Sequence, residues 1–185
     1  MNPFYERIQV HFQRLTSGDD GLFEKAFDLY TVSFPEHEQR FRANQCALMA
    51  NTDYHFDAIM DGDSFAGIIL YWEFPGYAYI EHFAIHPELR GRAFGSESLR
   101  LFGGGRDLVV LEIDPPDDPV SVRREAFYHK LGFRTNPFSH THPRYRESFP
   151  PHRLVVLSSP RELTEKEYAR FAEDLSGIVM ADAQV

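Results

Sequence analysis

The sequence predicts an α/β (α+β) fold, in which a mixed, mostly antiparallel central sheet is flanked by helices. The first observation is the irregular alternation of strand-like and helix-like segments along the chain. The second is a helix-like segment between the strand-like segments 78–86 and 107–114, an arrangement that makes these two strands a parallel pair. The third is the Asp61-Gly62-Asp63 turn between two apolar runs, which predicts an antiparallel hairpin.

The first half of the chain predicts one strand, two helices and a hairpin. Residues 7–15 alternate apolar and polar side chains, as a half-buried strand does. Apolar side chains share one helical face over 21–34, and Pro35 ends that helix. We expect a second helix over 36–50 and two strands within 54–74.

The second half of the chain predicts three strands and three helices. These segments are a strand at 76–87, a helix ending near Phe102, a strand at 107–114, a helix at 122–133, a strand at 152–159 and a helix at 164–179. The continuous apolar run 107–114 predicts a central strand that is buried on both faces. Thr164 and Glu167 stand in capping-box spacing, which predicts where the last helix begins.

Length, charge and cysteine content narrow the class of protein. The 185 residues contain no repeat or linker-like tract, so we expect a single domain over 1–185. The chain has 19 basic and 28 acidic residues, a net charge of −9, which argues against nucleic-acid binding. No apolar run approaches the roughly 20 residues that span a bilayer, and no signal-peptide pattern is visible. With Cys46 as the single cysteine, we expect a cytoplasmic protein without membrane partners.

A short basic loop of small residues lies within "HPELRGRAFGSESLRLF" (86–102), just before a predicted helix. The first backbone amides of a helix lack partners and its dipole is positive there, so small residues let a phosphate approach closely. The loop lacks the Lys-Ser/Thr pair of a P-loop and the three glycines of a dinucleotide fingerprint. By itself it is equally compatible with an ordinary strand-to-helix turn that carries solvated arginines.

Two motifs together resemble the GNAT superfamily of acyl-CoA-dependent N-acetyltransferases. "YIEHFAIHPELRGRAFG" (79–95) carries a loop similar to the family's Arg/Gln-x-x-Gly-x-Gly/Ala, and "AFYHKLGF" (126–133) has its Tyr-x-x-x-Gly-Phe ending. The resemblance covers roughly residues 7–157, the expected acyltransferase core, and is followed by the helix at 164–179. Two positions depart from the family pattern. Ala93 replaces the usual fourth-position Gly, and we expect a negative φ there; Ser121 replaces a frequent Asn.

The resemblance implies that acetyl-CoA is the co-substrate and suggests which residues bind it. The implied set is Phe83, Ala84, Ile85, Arg90, Gly91, Arg92, Ala93, Phe94, Gly95, Ser96 and Ser121. Amides of the basic loop would hold the pyrophosphate, and the pantetheine arm would pair with the strand backbone at 83–85. The thioester carbonyl would then lie near the Ile85 amide, which would stabilise the oxyanion.

Acyl transfer to an amine needs a base for the amine proton and an acid for the departing thiolate. Glu81 is the base predicted from the resemblance, with His82 as the substitute, and Tyr128 is the predicted acid. Counting by twos along the strand places Glu81 on one face with Phe83 and Ile85 and His82 on the other, unless a bulge changes the parity. A salt-bridged carboxylate and a core tyrosine are the alternative interpretations of Glu81 and Tyr128.

The resemblance also implies that two segments form walls of the acceptor site. Glu36 and Glu38 lie within 34–41, where they would attract an amine, although solvated charge is the simpler interpretation. The Pro-rich loop 136–152 carries Tyr145 and is equally compatible with a plain surface loop.

The histidines of this loop do not indicate a metal. The spacing of His140, His142 and His152 fits no standard zinc pattern and no cysteine assists them, so we expect no metal. The implied reaction is direct acetyl transfer in a ternary complex to a primary amine of a small molecule or peptide. A non-catalytic acyl-CoA-binding or sensory module and a transferase for a longer acyl-CoA stay open, as does a homodimer.

Overall fold

The computed structural model describes residues 8–181, and within them eight strands form one open sheet. The strands are β1 Val10–Leu15, β2 Tyr54–Asp61, β3 Ser64–Phe74, β4 Tyr77–Ile85, β5 Val109–Ile113, β6 Arg134–Thr135, β7 His140–His142 and β8 His152–Ser159. Their order is β1-β2-β3-β4-β5-β8-β6, and β7 pairs with β8. All neighbouring pairs in the described residues are antiparallel except β4 and β5, which confirms the predicted mixed sheet.

Helices cover both faces of the sheet in the described part of the chain. They are α1 Gly21–Ser33, α2 Arg42–Leu48, α3 Phe94–Gly103, α4 Pro119–Lys130 and α5 Glu165–Asp174. Buried side chains of α1, α2 and α5 pack on one face, and those of α3 and α4 pack on the other. The sheet therefore separates two apolar cores. None of the helices within residues 8–181 has the length and apolar character needed to cross a membrane.

The parallel strands pair over a short stretch and then separate. The pairing runs from Ala78 opposite Val109 to Ile80 opposite Leu111. β4 continues to Ile85, so its last five residues have no β5 partner. β5 is buried on both faces, as its apolar sequence predicts. The separation opens a gap in the middle of the sheet.

Several predicted element boundaries agree with the structure. β8 spans the predicted 152–159, and the Asp61-Gly62-Asp63 segment joins β2 to β3. Thr164 caps α5 through the predicted capping box, after which a π-helical turn follows at Leu175–Val179. The predicted first strand begins at Arg7, which lies outside the described residues, and the observed strand begins at Val10.

The prediction of one helix over 36–50 is wrong. The structure has a 3₁₀ turn at Glu36–Glu38, extended backbone at Gln39, and then the short α2. The Gln39 side chain donates to the carbonyls of Thr31 and Phe34 at 3.0 and 2.5 Å. These tertiary hydrogen bonds outweigh the modest helical propensity of the segment.

The fourth helix begins earlier than predicted. Its N-cap is Asp118, whose side chain accepts from the amides of Val120 and Ser121, and Pro119 occupies the first helical position. Both features are favourable helix starts that the apolar pattern alone overlooks. The helix ends at Lys130 rather than at 133.

Candidate active site

A cavity of about 450 Å³ lies where β4 and β5 separate. Its walls are 33–35, His37, Glu38, 80–85, Arg90, 111–114, Arg124, Tyr128, Tyr145, His152 and Leu154. The predicted catalytic residues and the predicted pantetheine strand therefore meet at one cavity. The basic loop lies beside it, with only Arg90 among the cavity walls.

Backbone groups of β4 that β5 does not pair face the gap. The His86 amide donates to the Ala66 carbonyl at 2.9 Å, and in an antiparallel ladder the direction of these bonds alternates along the strand. Ala84 therefore directs its backbone groups to β3, whereas Phe83 and Ile85 direct theirs to the gap. Of the three residues predicted to contact pantetheine, Phe83 and Ile85 therefore direct backbone groups toward the gap, where an extended amide can form hydrogen bonds with them.

The basic loop places the start of α3 at the end of β4. Ala93, the N-cap of α3, has φ +67°, and Gly91 has φ +76°. The expectation of a negative φ at Ala93 is wrong, because the chain needs a left-handed residue to turn into the helix. This cap makes no side-chain hydrogen bond. The first amides of α3 are therefore free for an anion, as the helix geometry requires.

Contacts around the loop hold α3 against the gap. The Arg90 Nε donates to the Ile85 carbonyl at 3.1 Å, which ties the loop to the end of β4. A Cβ on Gly95 would lie 3.4 Å from the Phe127 ring, so a small residue here lets α3 approach α4 closely. The Ser96 hydroxyl donates to the Ala93 carbonyl at 3.0 Å.

Arg92 and Phe94 of the same loop differ in exposure. Arg92 is exposed, so its charge is available at the surface of the loop. The Phe94 side chain is buried in the core beneath α3, so only its backbone amide can contact a ligand.

Tyr128 reaches the cavity from α4. Its ring packs edge-on against Phe127 and Phe133, which fixes its orientation. Burial raises the pKa of Tyr128 to about 12, although the Arg124 charge opposes this effect. The hydroxyl therefore stays protonated at neutral pH and can donate a hydrogen bond.

Ser121 is buried and belongs to the cap of α4. Its hydroxyl donates to the Asp118 carboxylate at 2.7 Å and lies 3.2 Å from the Asp118 amide. These contacts explain the residue as part of the capping box. Ser121 does not line the cavity, and its predicted cofactor contact stays a prediction.

The bulge allowed for in β4 is present, so the face assignment made by counting in twos does not hold. A bulge lets Leu70 oppose His82 and Tyr71 oppose Ile80, which leaves Glu81 without a register partner. Glu81 and His82 consequently both point toward the core under α1, whereas Phe83 packs on the opposite face. The extra residue of a bulge shifts the alternation by one position.

The Glu81 carboxylate is fully enclosed by donors. Arg40 forms an ion pair with it, and both side chains are 0% exposed. Trp72 and Tyr145 donate to it at 2.9 and 3.0 Å. Burial is the largest effect and would raise the pKa of Glu81, but the charges of Arg40 and His82 and the hydrogen bonds from Trp72 and Arg40 together hold that pKa below its usual value. The predicted base role of Glu81 stays a prediction that this environment does not favour.

His82 is a buried hydrogen-bond donor. Its Nε2 lies 2.9 Å from the Glu38 carbonyl oxygen, which can only accept, so Nε2 carries the proton. The ring packs against Tyr30 and Phe34. Burial lowers the pKa of His82 to about 4, so the imidazole stays neutral at physiological pH. These contacts suit positioning of the Glu38 backbone better than proton transfer.

A buried polar cluster around Glu112 was not predicted. Its carboxylate accepts hydrogen bonds from Tyr79 at 2.5 Å and from His140 Nε2, while His142 lies 3.8 Å away. His152 pairs with His142 in the β7–β8 ladder, its ring lies 5.3 Å from the His142 ring, and its Nε2 lies 3.9 Å from Glu38. The pairing of β7 with β8 brings these residues together, and the sequence offers no short-range signal for it.

The outer wall of the cavity comes from the two predicted acceptor segments. Tyr145 is buried and donates to Glu81, and Glu38 lines the cavity. Glu36, by contrast, points outward with a 71% exposed side chain and forms an ion pair with Arg146. The structure thus brings both segments to the cavity and separates the two glutamates.

A family model for GNAT-family acetyltransferases matches residues 20–133. Among solved structures, a GNAT-family protein from Bacteroides thetaiotaomicron is 28% identical, covers 92% of this chain and 98% of its own, and superposes with a TM-score of 0.86. No curated protein matches the chain significantly.

More distant structures share the fold. A Bacillus subtilis acetyltransferase in complex with CoA is 14% identical over 82% of this chain and 97% of its own, with a TM-score of 0.53. Arabidopsis thaliana Naa50 in complex with the bisubstrate analogue CoA-Ac-MVNAL is 19% identical over 81% of this chain and 97% of its own, with a TM-score of 0.56.

Proposed function

Since the chain belongs to the GNAT family of acetyltransferases, we propose that it transfers the acetyl group of acetyl-CoA to a primary amine of a small molecule or peptide. Direct attack of the amine on the thioester in a ternary complex is the proposed route. The cavity walls within the described residues include no cysteine, because Cys46 lies in α2 and packs against the core. This lack of a thiol at the cavity favours a route without a covalent enzyme intermediate.

The observation that carries this proposal is the match between the gap and the shape of CoA. CoA joins an extended, amide-containing pantetheine arm to a pyrophosphate. The open β4 edge offers the backbone groups of Phe83 and the amide of Ile85 as partners for the arm, while the Ile85 carbonyl already accepts from Arg90. The uncapped start of α3 offers free amides for the pyrophosphate one loop away. The exposed charge of Arg92 is compatible with an anionic ligand there.

The proposed thioester position lies beside the end of β4. An acetyl carbonyl near the Ile85 amide would develop negative charge as the amine attacks, and that amide would stabilise it. The Arg90 bond to the Ile85 carbonyl keeps this part of β4 in place.

Tyr128 is the proposed donor to the departing sulfur. Its pKa of about 12 is roughly 3.5 units above that of a thiol near 8.5, so full proton transfer to the thiolate is uphill. A hydrogen bond to the developing thiolate avoids this cost and still stabilises the transition state. We therefore propose that the Tyr128 hydroxyl donates a hydrogen bond to the thiolate and keeps its proton.

The test is a screen of amines with acetyl-CoA, in which release of the CoA thiol is followed and the acetylated product is identified by mass spectrometry. The proposal predicts thiol release that depends on one class of primary amine and a product heavier by one acetyl group. Binding of acetyl-CoA without turnover of any amine in small-molecule and peptide panels would instead support a non-catalytic binding module.

A further inference from the structure

We propose that Glu38 is the general base that removes the proton from the acceptor amine, an inference that rests on the proposed acetyl transfer. Glu38 is the last residue of the 3₁₀ turn that follows α1. Its carboxylate lines the cavity on the side of the sheet that carries Glu81.

Exposure and partners distinguish Glu38 from Glu81. The Glu38 side chain is 20% exposed, whereas the Glu81 side chain is 0% exposed. Among the described residues, neither an arginine nor a lysine forms an ion pair with Glu38, and its contacts are two histidines. The Nε2 atoms of His37 and His152 lie 3.5 and 3.9 Å from Glu38 Oε1, beyond normal hydrogen-bond distance. Glu38 therefore has free lone pairs for an incoming proton.

The backbone around Glu38 is held firmly. His82 donates to the Glu38 carbonyl at 2.9 Å, and the next carbonyl, that of Gln39, accepts from Arg146 Nε at 2.8 Å. The Glu38 amide donates to the Pro35 carbonyl at 2.9 Å. A base must be placed accurately to act on a bound substrate, and these three bonds supply that placement.

Burial, with the charges around the cavity, brings the pKa of Glu38 close to neutral pH. Burial, with the like charges of Asp114 and Glu112, raises the pKa of Glu38 to about 7, and Arg124 opposes this effect. A base with a pKa near the working pH combines a useful ionised fraction with a useful basicity. The titratable and charged groups around it, taken from every neighbouring element, are His37, His82, Glu112, Asp114, Arg124 and His152.

Within residues 8–181, His152 has no hydrogen-bond partner, and it marks where the amine of the acceptor substrate would lie. Both ring nitrogens of His152 are buried without a hydrogen-bond partner in the described residues. Buried polar atoms are nearly always paired, so the site suits a ligand donor at this point. Burial lowers the pKa of His152 to about 4, which leaves a neutral ring with one accepting nitrogen. An ammonium group would find Glu38 and His152 as acceptors, with Asp114 nearby.

The proton balance of the proposed step is simple. The Glu38 carboxylate takes one proton from the ammonium group and becomes a neutral acid. The free amine then forms a C–N bond to the acetyl carbon, and the C–S bond breaks with its electron pair on the departing CoA thiolate, which accepts a hydrogen bond from Tyr128. The attacking nitrogen releases its second proton to water. The Glu38 side chain is 20% exposed, so water can carry the first proton back to solvent.

The experiment compares the pH dependence of kcat/KM for the wild type and Glu38→Gln, using the best amine from the screen. We expect the wild-type rate to fall below a pH near 7, because the base becomes protonated. In Glu38→Gln this break should disappear and kcat should fall on the order of 10²-fold, while the calorimetric Kd for acetyl-CoA stays within about twofold. Glu38→Asp should restore part of the rate together with a break in the profile.

The matched control is Glu36→Gln, which removes the same charge from the same turn at an exposed position. It should keep the wild-type break. An unchanged rate and profile in Glu38→Gln would overturn the inference. Wild-type turnover that is abolished by a chelator and restored by Zn²⁺ would also overturn it, because His37, Glu38 and His152 would then act through a bound metal. A wild type that binds acetyl-CoA but acetylates no amine contradicts the proposed function instead.

Discussion

Tyr128 carries the most specific chemical expectation for a single side chain. Tyr128→Phe removes the hydroxyl and leaves the ring packed between Phe127 and Phe133, so the fold should persist. We expect kcat to fall on the order of 10²-fold, because one donor to a developing charge is lost, with little change in the Kd for acetyl-CoA. Steady-state kinetics and calorimetry measure the two quantities. An unchanged kcat would remove Tyr128 from the reaction.

For the residues of the candidate site, the sequence predicts which of them come together but not the contacts that each one makes. The motifs predicted that Glu81, Tyr128 and the basic loop come together, and they do at the cavity or beside it. The structure confirms the alternative interpretation of Glu81 as a salt-bridged carboxylate, but its partner was not predictable, because Arg40 comes from 41 positions earlier in the chain. The bulge at Glu81 also reverses the parity on which the face assignment rested. Such long-range contacts leave no local pattern in the sequence.

At the scale of elements, the approach of β3 to β4 depends on Gly67. A Cβ at this position would overlap the Ala84 carbonyl oxygen and lie 3.1 Å from the Ile85 Cα. Gly67→Ala must therefore push the end of β4 outward. We expect the free energy of unfolding to fall by about 1–3 kcal/mol and the affinity for acetyl-CoA to fall with it. Urea denaturation and calorimetry measure the two effects.

Gly103→Ala is the matched control, since a Cβ at this end of α3 meets nothing within 4 Å. It should be neutral or stabilising by up to about 1 kcal/mol. If Gly67→Ala were as stable as the control and bound acetyl-CoA normally, the close approach of the strands would not position the site.

Elements with a strong local pattern were predicted well. The parallel pair, the β2–β3 hairpin, β8 and the cap of α5 all have sequence signals that the structure confirms. β6 and β7 were missed because two and three residues are too few to show alternation. The short α2 was overestimated because tertiary hydrogen bonds of Gln39 interrupt the segment before it.

At the scale of the whole molecule, the two faces of the sheet carry different parts of the proposed site. The face under α3 and α4 carries Tyr128 and the amides that are proposed to bind CoA. The face under α1 carries the carboxylates of the proposed acceptor side. The net charge of −9 is consistent with a cationic acceptor. The fold class was predictable because it follows from the order of the elements. The acceptor side of the cavity was not, because its loops pack against segments that are distant in the chain, as Arg146 does against Glu36 at a separation of 110 positions.

The central claim is that the start of α3 holds the pyrophosphate of acetyl-CoA. The most direct measurement is calorimetric titration of acetyl-CoA into the wild type, Gly95→Glu and the control Gly103→Glu, each first shown to be folded by circular dichroism. We expect binding to the wild type and the control, and affinity at least about 100-fold weaker, roughly 2.7 kcal/mol, for Gly95→Glu, whose carboxylate repels the phosphates. Equal affinity in all three proteins, or no binding to the wild type at millimolar ligand, would contradict the account.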